Sequence, residues 1–108
     1  MNTEKSTVEK LYITGAKALD PITVYFEDIR NREGMMTIVC YGKSWTGYWG
    51  GMGDNIKVKE FIAGCHAEYI ANRIDHDRAT KRDTAYLIRI VEAVISAIKS
   101  ATAQDIKP

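Results

Sequence analysis

The sequence has few of the residues that cross-link secreted domains and lacks the long apolar runs that enter membranes. It contains two cysteines in 108 residues, which is too few for a disulfide framework. Cys40 and Cys65 are therefore predicted to be reduced, buried thiols of a cytosolic protein. No apolar run approaches the ~18 residues of a membrane span. Residues 1–6 are polar, so neither a signal peptide nor a membrane partner is expected.

An excess of either charge is also missing. Fifteen Lys and Arg stand against 14 Asp and Glu, a formal net charge of +1. No long-range field therefore directs the protein to nucleic acid, which we do not expect as a partner. The length and the 45% apolar content predict one domain over residues 1–108, with fraying tails at 1–7 and 101–108.

Motifs that mark enzymes are absent as well. Gly42-Lys43-Ser44 resembles the end of a P-loop, but Thr37 occupies the position of the required upstream glycine. Zinc sites usually contain ligand pairs spaced two to four residues apart. The candidate ligands, which lack that spacing, are Cys40, Cys65, His66 and His76. We predict no metal and no cofactor.

Two short combinations resemble parts of catalytic sites. Asp75-His76-Asp77 combines an imidazole with carboxylates, but a polar link between helices favours a solvated turn. Cys65-His66 suggests a thiolate pair, but Cys65 falls on an apolar helical stripe, where cysteines are inert. The sequence therefore predicts no catalytic residue and no enzyme.

Alternation of apolar and polar residues predicts four strands, which are followed by three helices. The predicted strands span 8–14, 22–29, 35–41 and 44–49, and the predicted helices span 56–64, 66–74 and 81–100. A polar turn at 30–34 and a bend at Gly42 join the later strands. Two offset apolar stripes predict a helix break at Gly64. Asp54 or Asn55 is expected to cap the first helix, and Thr80 with Asp83 the last.

This order of elements predicts the α+β class. We expect an antiparallel three- to four-stranded meander followed by two or three helices packed on one face. The other face of the predicted sheet, opposite the one with Ile22, Val24 and Phe26, is rich in Tyr and Thr. These residues are Tyr12, Thr14, Thr23, Tyr25, Thr37, Tyr41, Thr46 and Tyr48. Two interpretations stay open: a solvent-facing surface, or a contact surface, since Tyr is enriched at interfaces. A homodimer through this face or the sheet edge is one form of the second.

The stretch Gly42–Gly53, GKSWTGYWGGMG, contains both tryptophans and five of the eight glycines. One interpretation places Trp45 and Trp49 in the core, with glycines allowing the turn. The other makes Lys43, Trp45, Tyr48 and Trp49 a rim that binds a peptide, a small ligand or single-stranded nucleic acid. The basic residues Arg73, Arg78, Lys81 and Arg82 would favour nucleic acid, but Asp75, Asp77 and Asp83 are interleaved with them.

The same stretch resembles small accessory proteins encoded by tailed phages and prophages of enteric bacteria. The similarity covers residues 20–74, through Ile22–Asp28, Cys40-Tyr41-Gly42, Glu60-Phe61 and Tyr69-Ile70-Ala71. The turn at 31–34 departs from the Pro/Gly-rich turn of that group. The resemblance carries no catalytic residue and implies an accessory phage product acting in the host cytoplasm.

Our first hypothesis from the sequence is a non-enzymatic protein that engages a host or phage protein. The alternative is a protein that sequesters a small ligand or nucleotide, or that binds single-stranded nucleic acid. The candidate binding residues are Tyr12, Tyr25, Tyr41, Lys43, Trp45, Tyr48 and Trp49.

Overall fold

A computed structural model describes residues 1–75 and 81–105, with side chains up to residue 101 in the last helix. The elements are β1 (Glu9–Ile13), β2 (Ile22–Arg30), β3 (Glu33–Cys40), β4 (Lys43–Trp49), α1 (Val58–Ala63), α2 (Ala67–Ile74) and α3 (Lys81–Asp105). The strands pair in chain order, each antiparallel to the next. The predicted α+β class and meander are confirmed. No helix within the described ranges is long and apolar enough to cross a bilayer.

Both hairpins between β2 and β4 have two-residue turns. In the second, Tyr41 and Gly42 have φ of 50° and 75°, which is the pattern of the type I′ turn that matches strand twist. In the first, Arg30 pairs with Glu33 across the strands, and their side chains form an ion pair of 2.6 Å. The predicted turn at 30–34 is therefore too long, because Arg30, Glu33 and Gly34 are paired in the strand ladder and only two residues form the turn.

The core lies between one sheet face and the three helices. Ile22, Val24 and Phe26 are buried on β2, as the alternation predicts. Opposite them, Ile90, Val91 and Val94 of α3 are fully buried. Helix α1 ends against Gly64, as predicted. Helix α3 ends at Asp105, five residues past its predicted end at 100. Thr80, part of the predicted capping box, lies outside the described residues.

Gly47 allows the Trp49 ring to pack into this core. Trp49 is 4% exposed, and its ring centroid lies 5.9 Å from that of Phe61. A Cβ added at Gly47 would lie 2.5 Å from Trp49 Cη2 and 2.7 Å from Ile74 Cγ2. The close approach of β4 to α2 therefore requires a residue without a side chain at position 47.

The cap of α1 is not the one that local sequence predicts. Lys57 occupies the N-cap without a side-chain hydrogen bond, and the Val58 amide donates to Asp28 Oδ1 at 2.7 Å. The prediction of Asp54 or Asn55 is wrong because both lie in the preceding turn. The Asn55 amide there donates to Asn31 Oδ1 at 2.7 Å.

We predict that Gly47→Ala lowers the free energy of unfolding by ~1–3 kcal/mol, because the added methyl overlaps the Trp49 ring. Chemical denaturation measures the change. Gly51→Ala is the matched control, since a Cβ there meets no atom within 4 Å. Equal stability of the two variants would contradict the packing described for Gly47.

We also predict that Asp28→Ala lowers the free energy of unfolding by about 1 kcal/mol, because the Val58 amide loses its acceptor. Asp54→Ala should change it by less than about 0.5 kcal/mol. Denaturant titration of both variants compares the two carboxylates. A larger loss of stability in Asp54→Ala would contradict the assignment of Asp28 as the cap of α1.

Candidate functional site

The sheet face opposite the helices, called the outer face below, is the first candidate surface. It is formed by Lys10, Tyr12, Thr23, Tyr25, Glu27, Glu33, Met35, Thr37, Val39, Ser44, Thr46 and Tyr48. No helix within the described ranges packs against it. Tyr12, Tyr25 and Tyr48 are 65%, 37% and 43% exposed. The strand alternation thus places three of the four candidate tyrosines on one uncovered surface.

Side chains on the outer face support one another across the strands. One row runs through Lys10, Tyr25, Thr37 and Thr46, one residue from each strand. The Lys10 ammonium lies 6.0 Å from the Tyr25 ring centroid. The Thr37 and Thr46 hydroxyls are hydrogen-bonded at 3.1 Å. Cross-strand pairs of these kinds hold side chains in defined positions on a sheet.

Tyr48 is fixed at the corner of the outer face. Its hydroxyl donates a hydrogen bond to the Glu33 carboxylate, and this bond raises the pKa of Tyr48 above its ordinary value. Its backbone carbonyl accepts a hydrogen bond of 3.0 Å from Arg73. Tyr41 is placed differently, at the tip of the β3–β4 turn with 79% exposure, and lies beside the face.

The second candidate is a cleft of about 260 Å³ between β4 and the facing ends of α2 and α3, called the β4–α3 cleft below. Its lining residues are Lys43, Ser44, Trp45, Asp75, Asp83, Tyr86 and Leu87. Trp45 is half-buried and pairs with Ile38 on the core side of the sheet. Lys43 and Trp45 are thus brought together. Trp49 is buried in the core and is not in the cleft lining, so the predicted four-residue rim does not form.

Tyr86 is the cleft residue that sequence reasoning missed. Its hydroxyl lies 3.7 Å from Cys40 Sγ, and the Arg89 guanidinium lies 5.7 Å from its ring centroid. The hydrogen bond with Cys40, followed by burial, raises the pKa of Tyr86. One feature of the sequence could have indicated it: Tyr86 is the sole aromatic residue of α3 and directly precedes the buried Leu87.

The thiols are unpaired, as predicted, but their surroundings differ. Cys40 is buried, whereas Cys65 is partly buried, so the prediction of two buried thiols holds for Cys40 alone. Burial raises the pKa of the Cys65 thiol, which opposes thiolate formation. His66 is the N-cap of α2 and not an interior helical residue. His76, Asp77 and Arg78 lie outside the described residues.

No curated protein and no solved structure matches the chain. Among the residues that the structure describes, no three His, Cys, Asp or Glu side chains form a group suited to a metal ion. A family model described as a phage family matches residues 1–106. That match includes the last helix, beyond the region of the sequence resemblance. The chain therefore belongs to the Phage_phiTE_072 family, a phage protein family.

Proposed function

We propose that this phage-family protein is a non-enzymatic binding protein that engages a host or phage protein in the host cytoplasm. Its binding surface is the outer face. The observation that carries the proposal is a four-stranded surface with three exposed tyrosines and no described helix packed over it.

Tyrosine supports protein binding through both area and rigidity. A Tyr ring offers a large apolar surface and a hydroxyl, and it loses few rotamers when it is immobilised. Tyr25 lies on an interior strand and Tyr48 is held by Glu33 and Arg73. Side chains that are already positioned reduce the entropy lost on binding.

The non-enzymatic part of the proposal is supported by the chemistry of the potential nucleophiles. Cys40 is buried in the core, and the raised pKa of Cys65 disfavours its thiolate. Cys65-His66 lies in the α1–α2 connection, where the described geometry gives it no hydrogen-bonded carboxylate of the kind that orients a catalytic base.

A second candidate function is the binding of a small ligand in the β4–α3 cleft. Trp45 and Tyr86 supply aromatic surfaces there, and Lys43 supplies a cation. The cleft volume of about 260 Å³ is slightly below the roughly 300–1,000 Å³ of sites for drug-sized ligands, so only a small ligand would fit. Asp75 and Asp83 oppose a polyphosphate, so a nucleoside or nucleoside monophosphate is the best-suited class.

Single-stranded nucleic acid has less support. A stacking track needs successive accessible rings beside cations. Trp49 is buried, Tyr48 lies on the opposite side of the sheet from Trp45, and Arg73 binds the Tyr48 carbonyl. The aromatic residues that a single-strand binding site would need on one surface are therefore separated from one another.

We predict that Tyr25→Ala weakens capture of a stoichiometric protein from host lysate at least tenfold, because it removes a ring at the middle of the outer face. Affinity capture at matched protein concentration measures the loss. Tyr69→Ala is the control, since Tyr69 is 50% exposed on α2. Equal loss in both variants, or no stoichiometric protein captured by the wild type, would contradict the proposal.

For the second candidate, we predict that nucleoside monophosphates change the tryptophan fluorescence in a saturable manner and that Trp45→Phe removes the change. The reason is that Trp45 lines the cleft whereas Trp49 is buried. A panel of mono- and cyclic nucleotides provides the titration. A flat response across the panel would exclude this candidate.

A further inference from the structure

We propose that the protein bound at the outer face is a second copy of this chain, so that two sheets pack face to face in a homodimer. The inference rests on the proposed function of the outer face in protein binding, and it adds the identity of the partner. Most natural oligomers are symmetric pairs in which the same surface serves both copies.

The dimensions of the outer face fit such a pair. The four strands contain 5, 9, 8 and 7 residues. Strands about 4.8 Å apart with a rise of ~3.4 Å per residue give a patch of roughly 19 by 24 Å. The planar area is therefore about 460 Å², and the projecting side chains make the accessible area larger, toward the roughly 800 Å² per partner of stable complexes.

The charges of the outer face also permit self-association. The face has one cation, Lys10, and two anions, Glu27 and Glu33, and the Glu33 carboxylate is paired with the Arg30 guanidinium at the β2–β3 hairpin. The remaining nine positions are neutral, so two copies meet without net like-charge repulsion. A nucleic-acid surface would instead need several uncompensated cations.

The layer arrangement supplies the third argument. In each copy the helices cover one side of the sheet, and the Tyr and Thr side chains project from the other. Two sheets pack about 10 Å apart with interdigitating side chains, in the manner of a β-sandwich. The exposed Tyr12, Tyr25 and Tyr48 rings then become buried between two layers. The dimer has the order helix, sheet, sheet, helix.

Sedimentation equilibrium of the full chain over a hundredfold range of micromolar concentration tests the proposal. We expect the wild type to sediment at twice the monomer mass of 12.1 kDa. Thr37→Arg places a guanidinium from each copy at the centre of the interface and should weaken dimerisation at least a hundredfold. Ser96→Arg is the matched control, because Ser96 is exposed on α3, and it should dimerise as the wild type does.

A wild type that stays monomeric throughout would overturn the proposal, as would a folded Thr37→Arg that dimerises like Ser96→Arg. If Thr37→Arg loses its cooperative thermal transition, isotope-filtered NOEs on a mixed-labelled wild-type dimer decide instead. NOEs between Tyr25 ring protons and the methyl groups of Thr37 or Val39 in another copy support the outer-face interface. A dimer without them overturns it.

The same measurements separate this inference from the proposed function. A monomeric chain whose capture of a lysate protein depends on Tyr25 overturns the homodimer and leaves the protein-binding surface in place. A dimer that dissociates in Thr37→Arg and captures no other protein supports the inference and overturns engagement of a host protein.

Discussion

The burial of α3 against one side of the meander is the contact on which the rest of the structure depends. Ile90, Val91 and Val94 are fully buried against a sheet whose Val24 and Ile38 are equally inaccessible. Each such side chain contributes roughly 1.5–3 kcal/mol of gross hydrophobic free energy. Since all three helices contribute to the same core, the other face of the sheet has no described helix over it. The candidate binding surface is a consequence of that one-sided packing.

The two-residue period of β4 distributes the Trp–Gly stretch among different environments. Trp45, Gly47 and Trp49 face the helices, whereas Ser44, Thr46 and Tyr48 face outward. Gly47 contributes by the absence of a side chain, because the Trp49 ring and Ile74 occupy the space beside it. Residues that are continuous in the sequence therefore serve the core, the β4–α3 cleft and the outer face separately.

The two candidate surfaces suit different ligands for physical reasons. The outer face is broad, nearly neutral and aromatic, properties that favour a protein surface of comparable area. The β4–α3 cleft is small and contains both carboxylates and an ammonium group, properties that favour a compact polar ligand. Tyr86 connects the cleft to the core through Cys40, so a ligand there would contact a position that is supported by the protein interior.

The sequence by itself determined the strand parity, the order of strands and helices, and the break at Gly64, because alternation and helical periodicity report directly on which side chains are buried. Tertiary structure decided what depends on distant partners. Asp28 caps α1 from 30 residues away, and Tyr86 reaches Cys40 across 46 residues. Trp45 and Trp49 lie on the same face of β4, but their burial differs. The Trp49 ring fills the space beside Gly47 and is buried, whereas Trp45 borders a cleft. Local patterns specify the face on which a side chain lies, whereas neighbouring elements determine what that face meets.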